Sequence, residues 1–189
     1  MNREREPAEG SHGFAFAGDR VAIDPTARVF GAERVSLGSN VRIDAFVVLS
    51  AGDGGIVIGD YVHIGAHGFL AGSARIQIED FVAVSGRVSI YSSSDEYSGE
   101  GMAGPTLPSD VRQVTNAPVT IRKHCVIGAG SVVLPGVTLA EGVAVGAMSL
   151  VRDDVGPFEM VAGVPAKRIG TRGRTVLELE RRLRKAGGN

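Results

Sequence analysis

The chain of 189 residues has no tryptophan and one cysteine, and aromatic residues make up 5% of it. Without tryptophan and with few large rings, its core must be built from aliphatic side chains. The single Cys125 has no intrachain partner for a disulfide. Charge of one sign is also missing: 20 Lys+Arg stand against 21 Asp+Glu, a formal charge of −1. No cationic surplus is available for the phosphate backbone of nucleic acid, so a nucleic-acid partner is not expected. No run reaches the 18 apolar residues of a membrane span; the charge-free stretch from Cys125 to Ala140 is broken by Pro135 and several glycines. The opening MNREREPAEG is charged where a signal peptide needs an apolar segment, so a cytoplasmic protein is expected.

What is abundant is glycine, 27 residues, about twice the average share. Set among Val, Ile, Leu and Ala, this glycine content implies many short strands and tight turns. The aliphatic residues recur every six positions. Ile23 and Val29 are followed by Leu37, Ile43 and Leu49, then Ile58, Ile64 and Leu70, then Ile78, Val84 and Ile90. Each group of three makes one coil, and the extra residues between groups fall after Val29, Leu49, Leu70 and Ile90, always at one corner. After a long break, Ile121, Ile127, Val133, Leu139, Val145 and Val151 run at six without insertion.

A second small or aliphatic residue accompanies each of these four positions on, as in Val41, Val47, Val62, Val82, Val88, Cys125, Ser131, Val137, Val143 and Ser149. Two inward residues per short strand and a turn at each corner describe a triangular prism of parallel strands, with Gly or Asp expected at the turns. The predicted architecture is all-β, a parallel β-helix over 18–156 with a loop excursion at 91–118. A polar arm at 1–17 precedes it. The segment 157–189 leaves the repeat and ends in a helix. In TVLELERRLRK, Val176, Leu177, Leu179, Glu180 and Leu183 share one face, and Gly187-Gly188 stops the helix.

The segment PVTIRKHCVIGAGSVVLPGVTLAEGVAVGAMSLV with the exit AGVPAK resembles the C-terminal signature of the hexapeptide-repeat acyltransferases, whose β-helix is left-handed. The resemblance extends over about residues 20–170. It implies transfer from acetyl-CoA or another acyl-CoA, no metal, and a homotrimer with sites between columns. YSSSDEYSGE in the loop and VHIGAH upstream look most like enzymes that acylate sugars, nucleotide-linked amino sugars included, in surface-polysaccharide synthesis. N-acylation of such a sugar is the expected activity. O-acetylation of a sugar or polysaccharide, or a non-catalytic β-helix scaffold, are the alternatives.

Candidate residues follow. His63 lies between inward Val62 and Ile64 and must point outward, in a stack with Arg42, Ala83, Val126 and Ala144. In related sugar N-acetyltransferases a His in VHI contacts the acyl region, and His63 matches it, but the separate base of those relatives falls here at Gly54, beside Asp53. The loop has no His; His63 and Asp95 are the expected catalytic residues, either of them open as the proton acceptor and His63 the required base if the acceptor is a hydroxyl, and Glu96, Tyr97 and Ser98 are the expected sugar contacts. Gly128, Ala129, Gly146 and Ala147 give close backbone access for a pantetheine arm. By resemblance, Pro165, Lys167 and Arg168 cross the CoA end, where one cation meets a phosphate. Cys125 is inward and unsuited to be a nucleophile. His67 and His124 fall at corners and are expected to be plain exposed residues. Zinc shared by His63 and His67, as in the β-helical carbonic anhydrases, is disfavoured because one is on a face and the other at a corner.

Overall fold

A computed structural model describes residues 13–186. Three flat parallel sheets form the sides of a prism. The first face holds the strands Phe16–Ala17, Val35–Leu37, Ile56–Ile58, Ile76–Ile78, Val119–Ile121 and Thr138–Leu139. The second holds Ala22–Ile23, Arg42–Ile43, His63–Ile64, Ala83–Val84, Val126–Ile127, Ala144–Val145 and Glu159–Ala162. The third holds Arg28–Phe30, Val48–Ala51, Phe69–Gly72, Ser89–Tyr91, Val132–Val133 and Leu150–Val151. The six-residue inward set from Leu37 onward is buried throughout, as are its partners four positions on. The serines of that set sit in the interior with their hydroxyls satisfied: Ser131 and Ser149 both donate to the Gly146 carbonyl, at 3.0 and 2.7 Å. Ile23 and Val29, in the first coil, are only half-buried, since nothing among the described residues stacks beyond them.

Two expected boundaries move. The first strand, Phe16–Ala17, already pairs with Ser36–Leu37 inside the span assigned to a polar arm; residues 1–12 of that arm lie outside the described residues. The repeat also continues past 156. Glu159–Ala162 adds another parallel strand, Met160 opposite Ala144, and only then does the chain reverse so that Lys167–Thr171 pairs antiparallel with it. The six-residue count hid this coil because Val155 and Val161 are reached through the irregular segment RDDVGPFEM. The 91–118 excursion leaves from the third-to-first corner and is partly ordered as an antiparallel ribbon, Ser93–Asp95 against Val114–Asn116.

The corners are not held by Gly and Asp alone. Asn40, Phe46, Tyr61, His67, Phe81, Arg87, His124, Met148 and Phe158 all take positive φ, between 56° at Tyr61 and 61° at His124. Left-handed backbone costs roughly 1–2 kcal/mol for a residue with a Cβ. Two contacts offset it. The amides donate to the preceding coil, as Tyr61 to the Ser39 carbonyl and Phe81 to the Asp60 carbonyl, both at 2.9 Å, and Phe46 to Thr26 Oγ1 at 2.9 Å. Their rings then stack from coil to coil: Tyr61 on Phe81 at 4.9 Å, Phe81 on His124 at 5.3 Å, and Phe46 on His67 at 5.0 Å.

The terminal helix, Thr175–Ala186, runs over the first of these ring ladders and buries none of its own residues. It is held by polar contacts instead. Glu180 accepts from His124 Nε2 at 2.7 Å and from Arg184 at 2.7 Å, while Arg184 also reaches Asp80 at 3.3 Å and lies over the Phe81 ring. His124 is thereby 6% exposed, against the expectation for a corner residue, because the helix covers it. Burial alone would raise the Asp80 and Glu180 carboxyls, but hydrogen bonds and nearby cations outweigh it: the Asp60 amide, Lys123 and Arg184 for Asp80, and Arg184, His124 and Lys123 for Glu180. Both therefore lie below the ordinary carboxylate range. Gly187-Gly188, the expected helix stop, lie outside the described residues.

Two predictions follow from these corners and this helix. At Gly142, φ is +73° and an added Cβ would lie 2.4 Å from the Phe158 ring. Gly142→Ala should lower stability by about 2 kcal/mol or more, seen calorimetrically as a melting temperature lower by roughly 4–8 °C, whereas Gly173→Ala, with open space around it, should leave it unchanged. For the helix, the folded-state carboxyl values lie below the unfolded ones, so the attachment is at full strength above about pH 5 and is lost as pH falls through the folded values. Acidification, or Glu180→Gln at neutral pH, should raise hydrogen exchange across 175–186 while the β-helix amides stay protected. Equal protection of the helix in wild type and variant would contradict the latch.

Candidate active site

The sequence-predicted residues fall into three places on the prism. Asp95 and Tyr97 lie at the third-to-first corner, where the loop ribbon and Tyr91, Leu134 and Pro135 enclose a cleft of about 370 Å³. The Asp95 carboxylate has no hydrogen-bond partner among the described residues, and Tyr97 is 90% exposed beside it. Glu96 is different. Its two oxygens accept from the backbone amides of Ser98, Gly99 and Glu100 at 2.5, 2.8 and 3.2 Å. Hydrogen bonding by the Ser98 side chain and these amides pulls its pKa down to about 2. Glu96 thus folds the ribbon tip and has little acceptor capacity left for a sugar, while Ser98, exposed, belongs to the same turn.

The second place is the outward side of the second face. His63 points outward as expected, with Ala83 exposed next to it and Val126 and Ala144 half-buried farther along. It is not alone there. His63 Nε2 lies 2.8 Å from Asp44 Oδ2, and the other Asp44 oxygen accepts from Arg42 Nε at 2.7 Å. Burial alone would raise the Asp44 carboxyl, but His63 and Arg42 together hold it below the ordinary carboxylate range. An ionised carboxylate can only accept, so Nε2 of His63 carries a hydrogen and Nδ1 is left facing outward. Asp44 was missed in the sequence. The signal was present: Gly65 takes the equivalent corner position one coil on, so nothing separates the Asp44 side chain from His63. His67, by contrast, is on the next corner against Phe46 and does not meet His63.

The third place is the far end of the column. Gly128, Ala129, Gly146 and Ala147 lie at the second-to-third corner of consecutive coils, with both alanines exposed. The glycines have a packing reason of their own: a Cβ on Gly128 would sit 2.4 Å from the Ala147 amide nitrogen, and one on Gly146 would sit 2.8 Å from the Ala162 Cβ. Pro165, Lys167 and Arg168 lie just beyond, at the chain reversal. Arg168 already pairs with Glu159 at 3.1 Å and donates to Thr171 at 2.9 Å, whereas Lys167 is exposed with no ion pair among the described residues. Cys125 is 1% exposed, its thiol donates to the Ala140 carbonyl at 3.1 Å, and burial pushes its pKa up to about 12. It has none of the thiolate character a nucleophile needs.

One chain does not bring these places together. The second face and the third-to-first corner are opposite parts of a triangular cross-section, so His63 and Asp95 cannot share a substrate within a single column. Along the column, His63 is two coils before Val126, roughly 10 Å at about 4.8 Å per coil.

Comparison with known proteins places this geometry. The family described as bacterial transferase hexapeptide (six repeats) matches residues 118–153. The chain is 46% identical over 168 residues, 89% of its length and 88% of the relative's, to dTDP-4-amino-4,6-dideoxy-D-glucose acyltransferase of Escherichia coli. It is 31% identical over 139 residues, 72% of its length and 68% of the relative's, to the putative lipopolysaccharide biosynthesis O-acetyl transferase WbbJ of Escherichia coli K12. Among solved structures, AntD, an N-acyltransferase from Bacillus cereus in complex with dTDP and 3-hydroxybutyryl-CoA, superposes with a TM-score of 0.90 at 38% identity, covering 94% of this chain and 93% of that one. With its three parallel faces, six-residue inward period and projecting loop, the chain belongs to the hexapeptide-repeat acyltransferases of the left-handed β-helix fold.

Proposed function

We propose that the protein transfers an acetyl or other short acyl group from CoA to the amino group of a nucleotide-linked 4-amino-4,6-dideoxy sugar, acting as a homotrimer. The 46% identity over nearly the whole chain to an acyltransferase of dTDP-4-amino-4,6-dideoxy-D-glucose carries this reading, and the likeness to AntD with dTDP and an acyl-CoA supports it. The trimer supplies what one column lacks: the loop corner of one copy faces the second face of its neighbour, closing a cleft between them. O-acetylation fits less well. A hydroxyl has a far higher pKa than an amine and needs a strong general base, and the carboxylate in the loop cleft, Asp95, is a weak one.

The chemistry asks little of the protein beyond placement. The sugar amine, once neutral, attacks the thioester carbonyl carbon; the C–S bond breaks, the amide C–N bond forms, and the proton released by nitrogen ends on the departing CoA sulfur. Asp95, unpartnered in its cleft, holds the amine by a hydrogen bond and relays that proton. Tyr97 covers the sugar. The pantetheine arm lies along the backbone at Gly128, Ala129, Gly146 and Ala147, and Lys167, past Pro165, meets a CoA phosphate. Arg168 contributes less, being tied to Glu159. This step stands among those that supply surface-polysaccharide assembly, in the cytoplasm; among the described residues no helix is long and apolar enough to cross a membrane.

Three measurements test the proposal. Light scattering should give three times the 19.6 kDa chain mass. Asp95→Asn should lower kcat for the amino-sugar nucleotide by about ten- to a hundredfold while leaving the KM for acyl-CoA near wild type, and Lys167→Ala should do the reverse, raising the acyl-CoA KM with little change for the acceptor. A monomer, or full kcat/KM in Asp95→Asn, would refute the site as drawn.

A further inference from the structure

The cluster on the second face differs from the loop cleft in kind. It presents a guanidinium and an imidazole ring, with its carboxylate less exposed than either. Arg42 and His63 are register partners on adjacent parallel strands, so their side chains leave the sheet about 4.8 Å apart. Asp44 takes one nitrogen from each, Nε of Arg42 and Nε2 of His63. That fixes both rotamers and leaves the two terminal guanidinium nitrogens of Arg42 and Nδ1 of His63 without a partner among the described residues. At 18% side-chain exposure Asp44 lies beneath them, while Arg42 and His63 are 63% and 46% exposed. The carboxylate is spent on holding the two side chains, and the face turned outward carries the terminal guanidinium nitrogens of Arg42 and the His63 ring. Ala22 and Ala83, on the strands to either side, are small and exposed, so nothing crowds the cluster from above or below. At the adjoining corner the Phe46 and His67 rings stack and remain exposed.

We propose that Arg42 and His63, held by Asp44, form the site for the diphosphate of the nucleotide-sugar acceptor, with the Phe46–His67 stack as a flat aromatic surface for its base. Two neighbouring donors at about the spacing of adjacent coils suit a pair of linked phosphates, each of which accepts charge-assisted hydrogen bonds. A guanidinium with both terminal nitrogens free is the donor geometry that phosphate oxygens match best. The position in the column agrees: the cluster is on the N-terminal coils, two coils away from the proposed pantetheine track, which leaves the sugar between the diphosphate at this face and the amine at Asp95 of a neighbouring copy. His63 is then a binding residue, and as an imidazolium, with hydrogens on both ring nitrogens, it would donate to the phosphate through Nδ1. Asp44 touches no substrate and is a positioning residue. The inference rests on the amino-sugar acyltransferase reading above.

Titration calorimetry with dTDP, with thymidine and with CoA separates the two claims. Arg42→Ala and His63→Gln should each weaken dTDP binding by about ten- to a hundredfold, the loss of one charge-assisted contact, and leave CoA binding unchanged. Thymidine, which has no phosphate, should bind these variants as it binds wild type. Asp44→Asn should give a smaller loss, about three- to tenfold, and Arg42→Lys an intermediate one, since charge returns without the tie to Asp44. In steady state the acceptor KM should rise with kcat nearly intact. Wild-type affinity for dTDP in both Arg42→Ala and His63→Gln would overturn the diphosphate site and leave the acyltransferase reading standing. A fall in kcat at constant acceptor KM in His63→Gln would also overturn it and assign His63 to proton transfer. Failure of the wild-type protein to bind either dTDP or CoA would remove the acyltransferase reading and this site with it.

Discussion

Backbone hydrogen bonding from each coil to the next is the constraint on which everything else depends. Parallel strands in register place every residue directly over its equivalent in the neighbouring coil, so one choice of inward residue propagates as a column and so does one choice at a corner. A core of Val, Ile and Leu fills the interior without tryptophan because the prism is narrow and each inward position meets only its equivalents above, below and across. Burial of each such side chain contributes roughly 1.5–3 kcal/mol, which offsets the left-handed corners. The same register prevents free choice at those corners: where coils approach most closely, as at Gly128 and Gly146, only glycine fits, and where they leave room, rings stack.

Register also determines what the outer surface can do. Side chains from adjacent coils are neighbours at about 4.8 Å although some twenty residues apart in sequence, so polar groups such as Arg42, Asp44 and His63 gather without any local motif. The flat faces of the prism are not concave in themselves. Concavity has to come from an added element or from another copy. The ribbon at 93–116 is one such element, and it encloses the cleft at Asp95. A substrate that met both Asp95 and His63, as proposed above, would need a second column, because the two lie on opposite parts of the cross-section.

The six-residue period made most of the fold legible in the sequence, since a buried position in this architecture repeats without regard to what the turns contain. Ser131, Ser149 and Cys125 could be placed inside by spacing alone, against their polarity. What spacing could not show was contact between elements outside the period. The Val155–Val161 coil was lost because an irregular segment precedes it. His124 read as an exposed corner because the apolar stripe of the helix did not say which corner it would cover, and the contacts that fix it there are polar ones made by Glu180 and Arg184. Asp44 was passed over for a similar reason. Its role arises from the stack to which Arg42 and His63 belong, and only the outward stacks, compared side by side, would have revealed it.

The site residues were legible unevenly for the same physical reason. Asp95 stood out because the loop interrupts the period and, of its carboxylates, Asp95 lies nearest the last coil residue, Ile90; its neighbour Glu96 looked similar in sequence but is consumed by three amides of its own turn. Small residues at the second-to-third corner fit a pantetheine track and are also required by coil contact, so their presence alone cannot distinguish the two demands. Ala129 and Ala147 are exposed, and among the described residues Lys167 has no ion pair, whereas Arg168 is tied to Glu159. In a column built by repetition, the residues that depart from what stacking requires are the ones through which function can be recognised.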